Sequence, residues 1–479
     1  MKKHFISLFV LFFIVSCQLE EEADLDLSID DVRGNPPGNS YTITGQVGEI
    51  YRFPRKGSAM TGFQLSRDNE NNHKIYNTHS TWSKDSNWLI YLSTEGIDEY
   101  NGRRPNIFAV NMPGSNDNYE DFVTIQLTNH LDLPRFNTSG GASTEDIVIS
   151  KNEDVLYYLR SNYVHGEDNM PHSQSYVKVM KLDFGAIIAD ACVMDNGVCT
   201  PGTMQPLSAY ETTLFTHTWG NTATAGGITL DYSNQFLYYG INVGQSVIYR
   251  YDLNSNQNQE IFRSYSWTFG HLTANPFQNS NREVLFNWAS NPQMPGFDDL
   301  SHTSVPHFNN VINGNGQNYI GLYNEHNPYE NPTHATWVNA NRIGFNIVNF
   351  GDPALSVGYC EINKNNTNFR QLVRSLSTQN ESVFENNSMV PEPVGKFTIL
   401  SEVNNTNTGV THNLVVFDRI SNQMFPLPIP SFGTEAHASA SPDGKWVAYE
   451  TRDHGFQVNV IQLQLPSPPN NPVIPRQFY

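Results

Sequence analysis

A thirteen-residue pattern stands near both ends of this chain: HSTWSKDSNWLIY at 79–91 and HASASPDGKWVAY at 437–449. His79 aligns with His437, Ser83 with Ser441, Asp85 with Asp443, Trp88 with Trp446 and Tyr91 with Tyr449. A polar tight turn (SKDSN, SPDGK) between two short apolar runs is a β-hairpin signal. Its return after some 350 residues confines the chain to a fold built from repeated all-β units.

Looser copies fill the interval. ISKNEDVLYY (149–158) and LDYSNQFLYY (230–239) keep the turn and the apolar second strand, and GHLTANPFQNSNREVLF (270–286) has a longer turn. THATWVNANRIGF (333–345) repeats the His-x-x-Trp of His79 and Trp82 in His334 and Trp337, and EPVGKFTIL (392–400) is a faint seventh copy. Inner strands are expected to begin near 79, 146, 227, 271, 334, 388 and 437, at intervals of 44 to 81 residues. Seven such units predict an all-β, seven-bladed β-propeller, with six or eight blades as the neighbouring solutions. YTITGQVGEIYRFP (41–54) is expected to supply the outer strand that closes the last blade.

The chain ends bound the domains. MKK, the apolar run FISLFVLFFIV (5–15) and Ser16-Cys17 read as an export signal over 1–16, too short to span a bilayer as a helix. QLEEEADLDLSIDD (18–31) is an acidic, low-complexity stretch that stays solvated, so 17–40 is expected to be a tether. The propeller is expected over 41–465 and a Pro-rich tail over 466–479. Ile14-Val15-Ser16-Cys17 resembles a bacterial lipobox, which implies lipidation at Cys17. An ordinary signal peptide with a chance cysteine is the alternative. The acidic run after Cys17 resembles the surface-export signals of Bacteroidota lipoproteins, which implies a lipid anchor in the outer membrane and exposure at the cell surface.

Without residues 1–16 the chain keeps 26 basic and 47 acidic residues, a net charge of −21. That argues against a nucleic-acid partner, which requires a broad basic surface. An anionic substrate remains compatible, because binding depends on the local field inside a cleft. A monomer is expected. Cys192 and Cys199 lie seven residues apart in an exported chain and are expected to form a local disulfide, with a zinc site as the alternative. Cys360 is expected to be an unpaired, buried strand residue.

The histidines of the mature chain, His326 excepted, fall on one side of the expected propeller. Inner strands start on the face that also carries the loops between second and third strands. His79, His271, His334 and His437 begin inner strands; His165, His172, His302, His307, His412 and His454 fall in those loops. His73, His130 and His217 fall in connections between blades. Structural packing against a neighbouring blade is an equal reading for His79 and His437. Arg160 ends a second strand and leads into a loop with Tyr163 and His165, and Arg103 and Arg104 occupy the first blade's loop. Arg250, in a regular third strand, reads as structural. An Arg/His/Tyr-lined cleft suits an acidic sugar: guanidinium holds carboxylate or sulfate, and aromatic faces stack on pyranose rings.

GHLTANPFQNSNREVLF and THATWVNANRIGF resemble two inner-strand motifs of oligogalacturonate lyases, and the propeller architecture resembles that of ulvan lyases as well. The repeat pattern carries the resemblance over about 41–464, and its specific part lies around His271, His334 and His437. It implies a carbon–oxygen lyase that cleaves a uronate-containing polysaccharide by β-elimination. It also implies a divalent metal at His271, His334 and His437, with zinc or manganese favoured by imidazole ligands and calcium the third option. The expected catalytic set is His165 or His217 as base, Tyr163 as acid and Arg160 on the uronate carboxylate, with His79 beside them. Arg103 and Arg104 are expected to bind substrate. Where that family carries His-Val-Gln this chain has His271-Leu272-Thr273. That departure and the Arg-rich loops favour ulvan as substrate. Oligogalacturonate or pectate is the alternative, and a non-catalytic glycan-binding surface lipoprotein is the rival class.

Overall fold

The repeated turn is built by its own side chains in this computed structural model. Ser83 Oγ donates to Asp85 Oδ1 (2.7 Å) and accepts from Trp88 N (2.9 Å), while Asp85 Oδ1 also accepts from Asn87 N (3.0 Å). Ser441, Asp443, Lys445 and Trp446 repeat the same three bonds at 2.6, 2.9 and 3.1 Å. Such Asx-type bonding stabilises a tight turn at small sequence cost, which is why Ser-x-Asp stands at the inner-strand turns of both blade one and blade seven. The position after the aspartate takes positive φ: Ser86 at 63° and Gly444 at 70°.

The structure describes most of residues 47–462. Outside it lie 1–46, 52–61, 66–71, 94–105, 113–121, 130–145, 162–174, 289–307, 322–329, 350–356, 372–381, 390–396, 428–436, 452–456, 463–479 and some shorter gaps. Among the described residues, the strands make seven antiparallel sheets of four or five strands, a propeller of seven blades. Blades two to six follow the chain order. Their inner strands are Ile147–Ile149, Thr224–Leu230, Phe269–Ala274, Glu330–Asn339 and Ser382–Met389. Blade seven runs inward to outward as Ser439–Ala440, Trp446–Thr451 and Gln457–Gln462, again in chain order. Its outermost strand is Gly62–Gln64 from the N-terminal part, which closes the ring.

Closure corrects one sequence expectation. Within 41–54 the described strand is Ile50–Tyr51, and it pairs with Thr124–Gln126 as a fifth strand of blade one. The closing strand is only three residues long, too short to show an alternating pattern. Blade one departs in a second way. Its inner edge starts at Asn72–Lys74, breaks, and resumes at Thr81–Ser83.

Strand alternation places the core between blades. In blade two, Leu156 and Tyr158 pack toward blade one, while Val155, Tyr157 and Leu159 pack toward blade three. Both faces of each inner blade are therefore apolar, and the core is a ring of wedges. Sequence reading missed helix α1 (Phe184–Ala191), capped by Asp183, whose Oδ1 accepts from Ala186 N (2.9 Å). After it, Cys192 and Cys199 are joined as expected across a two-stranded hairpin, their Cα atoms 5.2 Å apart. Cys360 lies in the third strand of blade five.

Two indoles lock neighbouring blades at equivalent places. Trp82 Nε1 donates to Ser439 O across the seam between blades one and seven (3.2 Å). Trp337 Nε1 donates to Thr273 O between blades five and four (3.1 Å). Both side chains are fully buried. Replacing Trp337 by Phe leaves a buried carbonyl without this donor, which is expected to cost about 1–3 kcal/mol. The urea midpoint of Trp337→Phe against wild type checks this, and Trp82→Phe is expected to match it.

Candidate functional site

Counted back from paired residues, the inner-strand histidines fall at equivalent positions of their blades. Within each blade, one residue near the end of the inner strand pairs with the start of the second strand. In blade order these residues are Trp82, Ile149, Leu230, Ala274, Trp337, Met389 and Ala440. Three residues earlier in each blade stand His79, Asp146, Gly227, His271, His334, Asn386 and His437. Four of seven equivalent positions, in blades one, four, five and seven, are therefore histidine. The expectation of inner-strand starts is met only loosely: His271 is the third residue of Phe269–Ala274, His334 lies in the middle of Glu330–Asn339, and His79 and His437 lie just outside a strand.

The backbone is irregular at these positions, the histidine level. Register shifts fall at 225–228, 270–273, 333–336 and 385–387 in blades three to six. Gly227 and His437 have positive φ, 92° and 42°. Bulges of this kind interrupt pairing and re-aim side chains, and they recur beside active sites. Below this level the inner strands enclose a cavity of about 310 Å³, lined among others by His79, Trp82, Leu230, Thr273, Trp337 and Ala440.

His437 is the best defined of the four. Its Nδ1 donates to Glu450 Oε2 (3.1 Å), and His73 Nδ1 lies 3.7 Å from the same oxygen. Glu450 Oε1 accepts from Lys74 N (2.8 Å). Glu450 is 1% exposed, in the second strand of blade seven. Burial alone would push its carboxyl up. The hydrogen bonds and charges of His437 and His73 outweigh that and hold it well below the usual carboxylate range. Sequence reading missed this carboxylate. The legible signal was an acidic residue closing the apolar run WVAYE.

Beside it, Lys74 is fully buried and donates from Nζ to Ile75 O (2.7 Å). Burial lowers its ammonium to about 8, against the opposing pull of the Glu450 charge. The folded pKa lies below the unfolded value, so between about pH 8 and 10.5 the unfolded chain binds more protons. Stability therefore rises with pH across that window. Lys74→Met is expected to be more stable than wild type at neutral pH by about 1–3 kcal/mol, and to lack that rise. Urea unfolding of both proteins at neutral pH and at pH 10 checks it.

The remaining expected site residues divide. Arg160 lies at the end of the second strand of blade two, one residue beyond Leu159, whose N–H donates to Asp146 O at the histidine level (2.9 Å). His217 lies in the outermost strand of blade two, not in a connection. Its Nε2 is 2.7 Å from Tyr239 Oη, and its ring packs on Phe215, Tyr239 and Tyr249 of the wedge between blades two and three. Burial lowers its pKa to about 4, so it is neutral across ordinary pH. His412 likewise falls inside a strand, Gly409–Asp418, and not in a loop. Arg250 is structural as expected, donating to Gly314 O (2.9 Å) and Gln259 Oε1 (2.8 Å). Cys17, Arg103, Arg104, Tyr163, His165, His172, His302, His307 and His454 lie outside the described residues, as do the side chains of His271 and His334.

Among the described residues no three His, Cys, Asp or Glu side chains are grouped so as to hold a metal ion. By residue type, the wider set suits a divalent metal. Histidine occupies equivalent sequence positions in blades four, five and seven, and His437 has its Nδ1 held by a carboxylate, the usual outer partner of a ligating histidine.

No family model matches the sequence, and no curated protein matches it. Solved structures do match the fold. An oligogalacturonate lyase from Vibrio parahaemolyticus superposes with a TM-score of 0.57 at 12% identity, covering 88% of this chain and 99% of that one. An oligogalacturonate lyase in complex with manganese gives 0.57 at 15% identity, covering 87% and 98%. At such identities the likeness establishes the β-propeller fold, which this chain shares over nearly the full length of both.

Proposed function

We propose that this chain is a polysaccharide lyase that cleaves a uronate-containing acidic polysaccharide by β-elimination. The observation that carries the reading is the histidine level: His79, His271, His334 and His437 at equivalent inner-strand positions around the channel. Packing against a neighbouring blade does not by itself account for histidine at four of seven equivalent positions, whereas a site for a metal and a uronate would. The solved neighbours named as oligogalacturonate lyases support the same reading, and one of them is named as binding manganese. They favour oligogalacturonate or pectate over ulvan, because the Arg-rich loop argument for ulvan rests on Arg103 and Arg104, outside the described residues.

The chemistry sets the roles. The proton on C5 of a uronate is too weakly acidic to leave until the adjacent carboxylate is neutralised. His271, His334 and His437 would hold manganese or zinc, which when bound supplies positive charge next to that carboxylate. Arg160, near the end of a strand, we assign to the uronate carboxylate, where it would stabilise the negative charge that develops. We assign the C5 proton to His165 and the protonation of the departing glycosidic oxygen to Tyr163, with His79 bordering the site. His217 we assign to packing between blades two and three, since its ring is engaged by Tyr239 and two further aromatic side chains. Mass spectrometry of the products tests the reaction type. β-Elimination yields an unsaturated end one water lighter than the hydrolysis product. Products carrying the full water would replace the lyase reading with a hydrolase.

Delivery is part of the reading. We infer that Cys17 carries the lipid that anchors the chain at the outer membrane, with 18–31 as its solvated tether. Cys17→Ser is expected to move the protein from the membrane fraction to the soluble fraction. An unchanged distribution would overturn the anchor.

A further inference from the structure

We propose that Glu450 is the positioning residue of this site: it fixes His437 in the tautomer with its proton on Nδ1, so that Nε2 is the nitrogen through which His437 meets a metal or a substrate. The proposal rests on the reading of His437 as a working residue at the histidine level.

Three observations carry it. Glu450 is a buried carboxylate that follows four apolar or aromatic residues in its strand, where an unpaired charge would be costly, so its partners are essential to it. Its two oxygens are used differently. Oε1 accepts the Lys74 backbone N–H at 2.8 Å, while Oε2 faces His437 Nδ1 at 3.1 Å and His73 Nδ1 at 3.7 Å. Finally, His437 sits at a φ of 42°, just before the inner strand of blade seven begins at Ser439. Histidine is among the residues that adopt this region most readily, and at His437 it redirects the chain immediately before the inner strand, beside Glu450.

A purely structural role is the competing account, since the Lys74–Glu450 bond also ties blade one to blade seven. The two accounts separate in Glu450→Gln. The Lys74 N–H still requires an oxygen, so the carboxamide oxygen takes the Oε1 place. The amide NH2 then occupies the Oε2 place facing His437. That group donates where the carboxylate accepted, and it drives the His437 proton from Nδ1 to Nε2.

The experiment is nitrogen NMR of the purified chain labelled with 15N in its histidines, at about pH 9 where imidazole is neutral. The His437 signals are assigned by their loss in His437→Asn. Manganese titration by calorimetry accompanies it. Expected are an Nδ1-protonated His437 in wild type, an Nε2-protonated His437 in Glu450→Gln, and a roughly 10–100-fold weaker manganese affinity in the variant. A wild-type His437 protonated on Nε2 overturns the proposal even if the variant fails to fold. So does a Glu450→Gln protein that loses stability but keeps the wild-type tautomer. If wild type binds no manganese, the metal part of the proposed function fails, and the tautomer pair alone decides the role of Glu450.

Discussion

Replacing His437 by Asn is expected to lower turnover of a uronate polymer by about 10²–10⁴-fold while the protein folds normally. Asn is the informative choice because it tolerates the left-handed backbone that His437 occupies at a φ of 42°. Alanine there would add strain and blur the result. The loss of turnover follows from geometry: His437 is the histidine of the level whose ring orientation is set by a buried carboxylate 3.1 Å away. Initial rates with wild type, His437→Asn and His217→Phe decide it. The His217 variant is expected to keep most of its activity and to lose stability instead, because its ring fills the wedge between blades two and three. Full activity in His437→Asn would make this histidine a structural seam residue.

The largest expected effect on stability lies on the other face. Lys364 Nζ sits 2.6 and 2.5 Å from the two carboxylate oxygens of Glu283, and both side chains are buried between blades four and five. Asn275 Nδ2 adds a bond to Glu283 Oε2 (3.3 Å), and Trp337 has its ring 6.0 Å from the ammonium. Removing one partner leaves the other charge buried without its counter-ion, so Glu283→Ala is expected to cost about 3–5 kcal/mol. The attraction in the pair is largely offset by desolvation, so the double variant Glu283→Leu/Lys364→Met is expected to recover most of that loss. Urea unfolding of the single and double variants measures both numbers. A double variant as unstable as Glu283→Ala would show that the pair contributes far more than it costs to bury.

Much of this was legible because the turn chemistry is local. Ser83, Asp85 and Trp88, like Ser441, Asp443 and Trp446, satisfy one another within six residues, so the motif survives as a readable string. Inner-strand starts at 147, 224, 269, 330 and 439 accordingly fall within four residues of expectation, while those of blades one and six, at 72 and 382, are seven and six residues early. The closing strand was misplaced because ring closure is non-local. Gly62–Gln64 finds its partner some 400 residues away, and three residues carry no period. Helix α1 escaped because FGAIIADA is as apolar as a strand, and Asp183 is its one distinct start signal.

The site divides along the same line. Histidines at equivalent positions could be inferred from hairpin repeats, since the repeats fix register. The Glu450 cluster could not, because Lys74 and Glu450 are 376 residues apart and meet only when blade one closes on blade seven. His217 misled for a related reason. Its place before a blade boundary suggested an open connection, but the outermost strand of blade two continues to Trp219 and turns the ring into an aromatic wedge.

Incubating the purified protein and manganese with oligogalacturonate, pectate, ulvan and glycosaminoglycans, and following ultraviolet absorbance of unsaturated uronate, tests the lyase assignment most directly. The account predicts a steady rise on at least one of these polymers, strongest on the galacturonate substrates, and lost in His437→Asn. No rise on any of them, with polymer binding retained, would contradict it and make the chain a glycan-binding surface protein.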